Sequence, residues 1–145
     1  MRVIPLDLTV NKRELSALYR RVWIRYPVAG IYDRCDVRNH GDVPFLVITA
    51  YNPGGRQAVP WMNKVVDRIL ESHLVALGHK PVRVIAGSED RTHEEESWLV
   101  PLKQHGDRQA AVTLLQTFGQ VAAFVIRPNS IGGRYLLWND GTTSS

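Results

Sequence analysis

Only one cysteine, Cys35, occurs in the 145 residues. An internal disulfide and a zinc site built on thiolates are therefore excluded, and a reducing compartment fits. No apolar run approaches the roughly eighteen residues that a membrane helix needs, and Met1 to Asp7 lacks the long apolar segment of a secretory signal. A cytoplasmic protein with no membrane partner is expected. Nucleotide motifs are also missing: Asn52-Pro53-Gly54-Gly55-Arg56 lacks the Lys-Ser/Thr that grips phosphate, and no dinucleotide glycine pattern occurs. There is no Gly-x-Ser-x-Gly, and no histidine that sequence can place beside Cys35. The run His93-Glu94-Glu95-Glu96 holds ligand-type side chains, but adjacent residues point different ways and no second histidine lies near, so it reads as a solvated loop. No metal and no cofactor are expected.

What is present suits one globular domain over residues 1–145, with 44% hydrophobic residues to build a core. The net charge of +4 is unevenly spread. Residues 1–40 hold eight Lys/Arg against four Asp/Glu, and residues 41–145 hold ten against ten. The excess follows Lys12, Arg13, Arg20, Arg21 and Arg25, interleaved with Leu15, Leu18, Tyr19, Val22 and Tyr26 at helical spacing. This predicts an amphipathic helix with a basic outer face, capped by Thr9 or Asn11, with Glu14 in its first turn and its end at Tyr26-Pro27. Phosphate-binding surfaces cluster basic residues more densely and add stacking aromatics, so a solvated face is the simpler reading and nucleic acid is not an expected partner.

The apolar run Phe45 to Pro53 stops at Asn-Pro-Gly-Gly and reads as a buried central strand. Before it, Ile31-Tyr32 and Cys35 to Val37 suit a short strand, and Asn39 to Asp42, with His40, a turn. Pro60 opens a long helix in which Met62, Val65, Val66, Ile69, Leu70, His73, Leu74 and Leu77 form an apolar stripe, stopped by Gly78. His73 is thus expected in the core. Val82 to Ala86 alternates as a strand, Gly87 to Glu95 is a polar loop, and Ser97 to Leu102 is another strand. Gly106 or Asp107 opens a third helix closed by Gly119, and Val121 to Ile126 is a further strand. Asn129 to Gly133 turns into Tyr135 to Trp138, and Asn139 to Ser145 should fray. Trp61, Trp98 and Trp138 are expected as core or interface anchors.

The order strand, helix, strand, strand, helix, strand is that of the split β-α-β, ferredoxin-like arrangement, an α+β fold. We expect a βαββαβ core over 45–126, antiparallel in the order 4-1-3-2 with both helices on one face. Residues 1–44 add an N-terminal helix and extension, 127–138 a C-terminal hairpin strand, and 139–145 the tail. A three-layer sheet with the first helix as a full layer is the alternative. The 4-1-3-2 order brings several segment ends to one rim. Asn52, Asn63, Glu96 and Gln120 would converge there, with Tyr51, Arg56 and Ser97 near. Unpaired N–H groups at the start of the long helix and Arg56 would suit an anion.

The blocks Ile48 to Pro53, Ala86-Gly87, Glu96 to Val100 and Phe118 to Phe124, with Asn63, resemble the ordered landmarks of a small bacterial family, domain of unknown function 3293, over roughly residues 15 to 126. Where that family often has Trp or Pro before the glutamate, this chain has Thr92-His93-Glu94-Glu95. The resemblance implies the domain and its landmark residues, and no reaction. Tyr51, Asn52, Arg56, Asn63, Glu96 and Gln120 could instead be a structural clasp: Asn52 an Asx-turn, Gln120 a partner of helix-end carbonyls, and Glu96 an acceptor from Asn63 and Gln120. Three functions are carried forward. The first is a non-enzymatic module binding a small anionic or amide-bearing ligand, or a protein partner, at the rim. The second is a small hydrolase or transferase with Glu96 as candidate general base. The third is a nucleic-acid accessory protein using the basic helix. A homodimer paired through an edge strand such as Val82 to Ala86 is also among the arrangements the sequence allows.

Overall fold

The computed structural model describes residues 8–19, 21–25, 43–55, 57–90, 92–127 and 134–144. Arg56, Cys35, the short strand expected at Ile31 to Val37, the turn holding His40 and the turn at Asn129 to Gly133 lie outside them. Three α-helices and seven strands follow in order among the described residues: α1 (Leu8–Tyr19), β1 (Trp23–Arg25), β2 (Phe45–Ile48), α2 (Pro60–Ala76), β3 (Val82–Gly87), β4 (Glu94–Pro101), α3 (Asp107–Thr117), β5 (Ala122–Ile126), β6 (Arg134–Trp138) and β7 (Thr143–Ser144). The strands form one seven-stranded sheet in the order β1-β3-β4-β2-β5-β6-β7, every neighbouring pair antiparallel. The class is α+β. The sheet is wider than the four-stranded core with one C-terminal hairpin strand that was expected: β6 is that strand, and β1 at one edge and β7 at the other are added.

Cross-strand pairing sorts the side chains onto two faces. On one face Leu46, Ile48, Trp98, Val100, Ala123 and Val125 pack with Leu70 and Leu74 of α2 and Leu114 and Leu115 of α3. Both helices thus share that face. On the opposite face Phe45, Val47, Val84 and Leu99 cluster with Ile24 and Phe124. The unbroken apolar run of β2 is buried at every position because it feeds both clusters.

Several expectations are corrected. The first helix ends at Tyr19 rather than Tyr26, so Thr9 and Asn11 fall inside it, Glu14 lies beyond its first turn, and Trp23-Ile24-Arg25 forms an edge strand. Aromatic and β-branched residues suit a strand better than a helix end. Because β1 pairs with Ile85, Ala86 and Gly87, that part of β3 is covered and is not the free edge expected. Gly87 is needed for that pairing: a Cβ there would stand 2.1 Å from Trp23 Cζ2. The tail does not simply fray, since Thr143 pairs with Leu137 and Ser144 with Leu136. Lastly, β4 begins at Glu94, so the polar stretch expected as a loop is partly strand.

His73 is exposed, not core, and meets Phe118 edge-on at 5.5 Å between ring centroids. Trp98 and Trp138 are buried as anchors, whereas Trp61 is exposed. No helix among the described residues is long and apolar enough to cross a membrane.

Candidate functional site

Helix stops place the rim residues. After α3, Gly119 adopts φ 64°, its N–H donates to Gln116 O at 3.3 Å, and the next N–H, of Gln120, reaches back to Leu115 O at 2.8 Å. This paired closure is the Schellman pattern, which needs a left-handed residue and so favours glycine. It delivers Gln120, nearly buried, beside the end of β2, where Gln120 Nε2 donates to Tyr51 O at 2.9 Å and Phe118 O at 3.2 Å. Gly54 N–H donates to Gly119 O at 2.7 Å, tying the two loops.

Asn52 sits at φ 50°, the one described non-glycine residue with positive φ. The left-handed region costs a non-glycine residue on the order of 1–3 kcal/mol unless its surroundings hold it there. Here Asn63 of α2 holds it. Asn52 N–H donates to Asn63 Oδ1 at 2.9 Å, and Asn63 Nδ2 donates to Asn52 Oδ1 at 2.9 Å. Ala58 N–H also donates to Asn52 Oδ1, at 3.0 Å, which closes the 52–58 loop rather than an Asx-turn.

The structure therefore brings Tyr51, Asn52, Asn63 and Gln120 together at one rim. Glu96 joins them through Tyr51 alone, and its expected donors Asn63 and Gln120 are engaged elsewhere. Glu96 lies on the helix-bearing face, accepting from Tyr51 Oη at 3.1 Å, with Arg83 Nη1 at 3.9 Å. Arg83 reaches further to the buried Asp67 of α2, Nη1 to Oδ1 at 2.9 Å and Nη2 to Oδ2. Burial, then the charge and hydrogen bond of Glu96, push the Tyr51 phenol up to about 12. Burial disfavours the Arg83 charge, but the bond to Asp67 and the charges of Asp67 and Glu96 outweigh it and raise its pKa.

A cleft of about 930 Å³ opens at this rim and runs onto the opposite face of the sheet. Tyr51, Asn52, Asn63 and Gln120 line its rim, and Thr49, Ser97 and Glu95 its sheet side, with Val47 and Phe124 as apolar wall. Glu96 is not among its lining residues. The extension of β4 explains this, because successive side chains of a strand point to opposite faces, so Glu95 turns to the cleft as Glu96 turns to the helices. Sequence reading missed Glu95, and the signal available was strand parity, had β4 been started at Glu94. The half-buried Glu95 carboxyl makes no hydrogen bond or ion pair among the described residues. Burial pushes its pKa up, and His93 only partly offsets that.

The start of α2 offers fewer N–H groups to an anion than expected: Pro60 has none, and those of Met62 and Asn63 both donate to Val59 O, at 3.0 and 3.2 Å. The polar mouth is acidic as well: Glu89, Asp90, Glu94 and Glu95 face Arg21 and Lys64. Asp90 is held down at about 2 by the Ser88 hydroxyl first and then by Thr92, and it shapes the β3–β4 loop. No group of three or more metal-ligating side chains is assembled among the described residues. Among the described basic residues of the first segment, three are engaged: Lys12 with Asp140 at 2.7 Å, Arg21 with Glu89 at 3.7 Å and Arg25 with Glu94 at 3.9 Å.

A sequence model of the family described as "Protein of unknown function (DUF3293)" matches residues 48–123. That span holds Tyr51, Asn52, Asn63, Glu95, Glu96 and Gln120. No curated protein and no solved structure matches the chain.

Proposed function

The chain belongs to the DUF3293 family of proteins of unknown function, and from that premise, which supplies no reaction, we propose a non-enzymatic module that binds a small ligand carrying an amide and an ammonium group. The observation that carries this reading is Glu95, a half-buried carboxyl on the sheet side of a roomy cleft that makes no hydrogen bond or ion pair among the described residues. An unpaired carboxyl out of water is unfavourable, and such groups concentrate where a ligand completes them. An ammonium would supply the missing charge, and the carboxamide-lined rim would match an amide. The acidic mouth and the engaged N–H groups of Met62 and Asn63 argue against an anionic ligand. We further read the inner strands β3-β4-β2-β5 with α2 and α3 as the ferredoxin-like unit, which β1, β6 and β7 extend.

Glu95 also sets a pH dependence whose sign is fixed. Its folded pKa is raised, so its contribution to stability is fully present below the ordinary glutamate value and is lost as pH rises through the folded value. Glu95→Gln should therefore gain stability relative to wild type as pH rises from 4 to 8, read as the difference in urea midpoints. In a thermal-shift panel, glycinamide and agmatine should raise Tm and acetate and phosphate should not. A ligand at one hundred times its dissociation constant adds about 2.7 kcal/mol. The Glu95→Gln variant should lose the shift given by the amines. Stabilisation by phosphate or acetate alone, or an unchanged amine response in Glu95→Gln, would overturn the reading.

A further inference from the structure

The N-terminal half of α2 has its polarity reversed. The side facing the sheet carries Asn63 and Asp67, both buried, ahead of Leu70 and Leu74. The side facing away carries Trp61, Met62, Val65 and Ile69, which are 66%, 41%, 48% and 45% exposed. An amphipathic helix on a sheet ordinarily shows the opposite arrangement. At about 100° per residue these four form one stripe, and contiguous exposed apolar surface of this kind marks an interaction site.

We infer that this stripe is a homodimer interface in which α2 packs antiparallel against α2 of a second copy about a two-fold axis near residue 67. The charges beside the stripe choose a second copy as the occupant. Lys64, Arg68 and Glu71 flank it on one side, and none of them has an ion-pair partner among the described residues. A two-fold axis perpendicular to the helix pair sets the same flank of both helices together in opposite directions. Lys64 then stands opposite Glu71 of the second copy, and Glu71 opposite its Lys64, so two symmetric ion pairs form. The same register places Val65 against Ile69 near the axis. In a parallel arrangement this flank would meet the opposite flank of the second copy, and neither ion pair would form. One helix face is a small interface, so a dimer dissociating in the micromolar range is expected.

Sedimentation equilibrium over a series of concentrations tests this. Wild type should pass from monomer to dimer, and Ile69→Glu should shift the dissociation constant upward by at least tenfold with its circular dichroism spectrum unchanged. Lys64→Glu and Glu71→Lys should each weaken the dimer, and the double exchange should restore it. A wild type that stays monomeric, a dimer indifferent to Ile69→Glu, or a double exchange no tighter than the single variants would each overturn the inference. The outcome is separate from the ligand reading through Ile69→Glu and Glu71→Lys, since neither residue lines the cleft that holds Glu95.

Discussion

Arg83→Leu is expected to lower stability by about 3–5 kcal/mol, the usual cost of removing one partner from a buried ion pair. Arg83 on β3 spans the gap to α2 with a two-pronged contact to Asp67. The Asp67 side chain is 4% exposed and that of Arg83 28%. Loss of the arginine therefore strands a carboxylate that water cannot reach. The guanidinium also lies 3.7 Å from the centroid of the Trp98 ring and 3.4 Å from Ser97 O. Substitution at Arg83 thus removes cover from a core tryptophan in addition to the charge. The converse change, Asp67→Leu, should cost less, because a partly exposed guanidinium can turn to solvent. Replacing both residues by leucine should recover most of the loss, since apolar pairs often match buried ion pairs in stability. Urea midpoints for the four proteins complete the cycle. A single-variant loss below about 1 kcal/mol, in the range of surface pairs, would mean that the bridge does not hold α2 to the sheet.

The same bridge shows where the sequence was legible and where it was not. Strands β2, β3 and β5 and helices α2 and α3 lie close to where their spacing puts them, because alternation, helical periodicity, Pro60 and the closing glycines are local signals. The orientation of α2 was not legible. Counting Met62, Val65 and Ile69 as core-facing is the natural reading of an apolar stripe, yet Asn63 and Asp67 face inward instead. Their partners, Asn52 and Arg83, come from separate segments, so no local pattern announces them. At the rim, Tyr51, Asn52, Asn63 and Gln120 were legible because topology alone brings strand ends and helix starts together. The choice between Glu95 and Glu96 was not, since in a run of three glutamates a one-residue error in the start of a strand exchanges its faces. At the C-terminus the turn holding Asp140 and Thr142 is polar throughout and reads as a frayed tail, whereas its side chains tie Lys12 to the sheet edge.

That edge carries the second large effect. Trp138→Ala is expected to cost about 3–5 kcal/mol, as for other fully buried aromatic residues. Trp138 has no exposed surface, and on its side of the sheet it pairs with Ala122 across the β5–β6 ladder. Its indole N–H donates to Ser144 Oγ at 2.7 Å, so the ring fixes β7 as well as filling space. Lys12 lies over the ring at 5.4 Å and bonds Asp140, and Ser16 Oγ lies 3.3 Å from Ser144 Oγ. Among the described contacts of α1 with the sheet, these gather around this side chain and its partner Ser144. The Lys12–Asp140 pair alone cannot replace it, because partly exposed ion pairs contribute about 0–1 kcal/mol. Asp140 is held at about 2, first by the Lys12 bond and then by Thr142, so what it adds is present above the ordinary aspartate value and lost only as pH falls through about 2. Trp138→Phe should keep most of the burial and lose about 1 kcal/mol with the indole bond. Trp138→Ala should in addition release α1. Hydrogen exchange would then speed up in residues 12–17 well before it does in β2 or β4, at a urea midpoint lowered by the full amount. Equal acceleration throughout the chain would show that α1 is held by contacts other than this tryptophan.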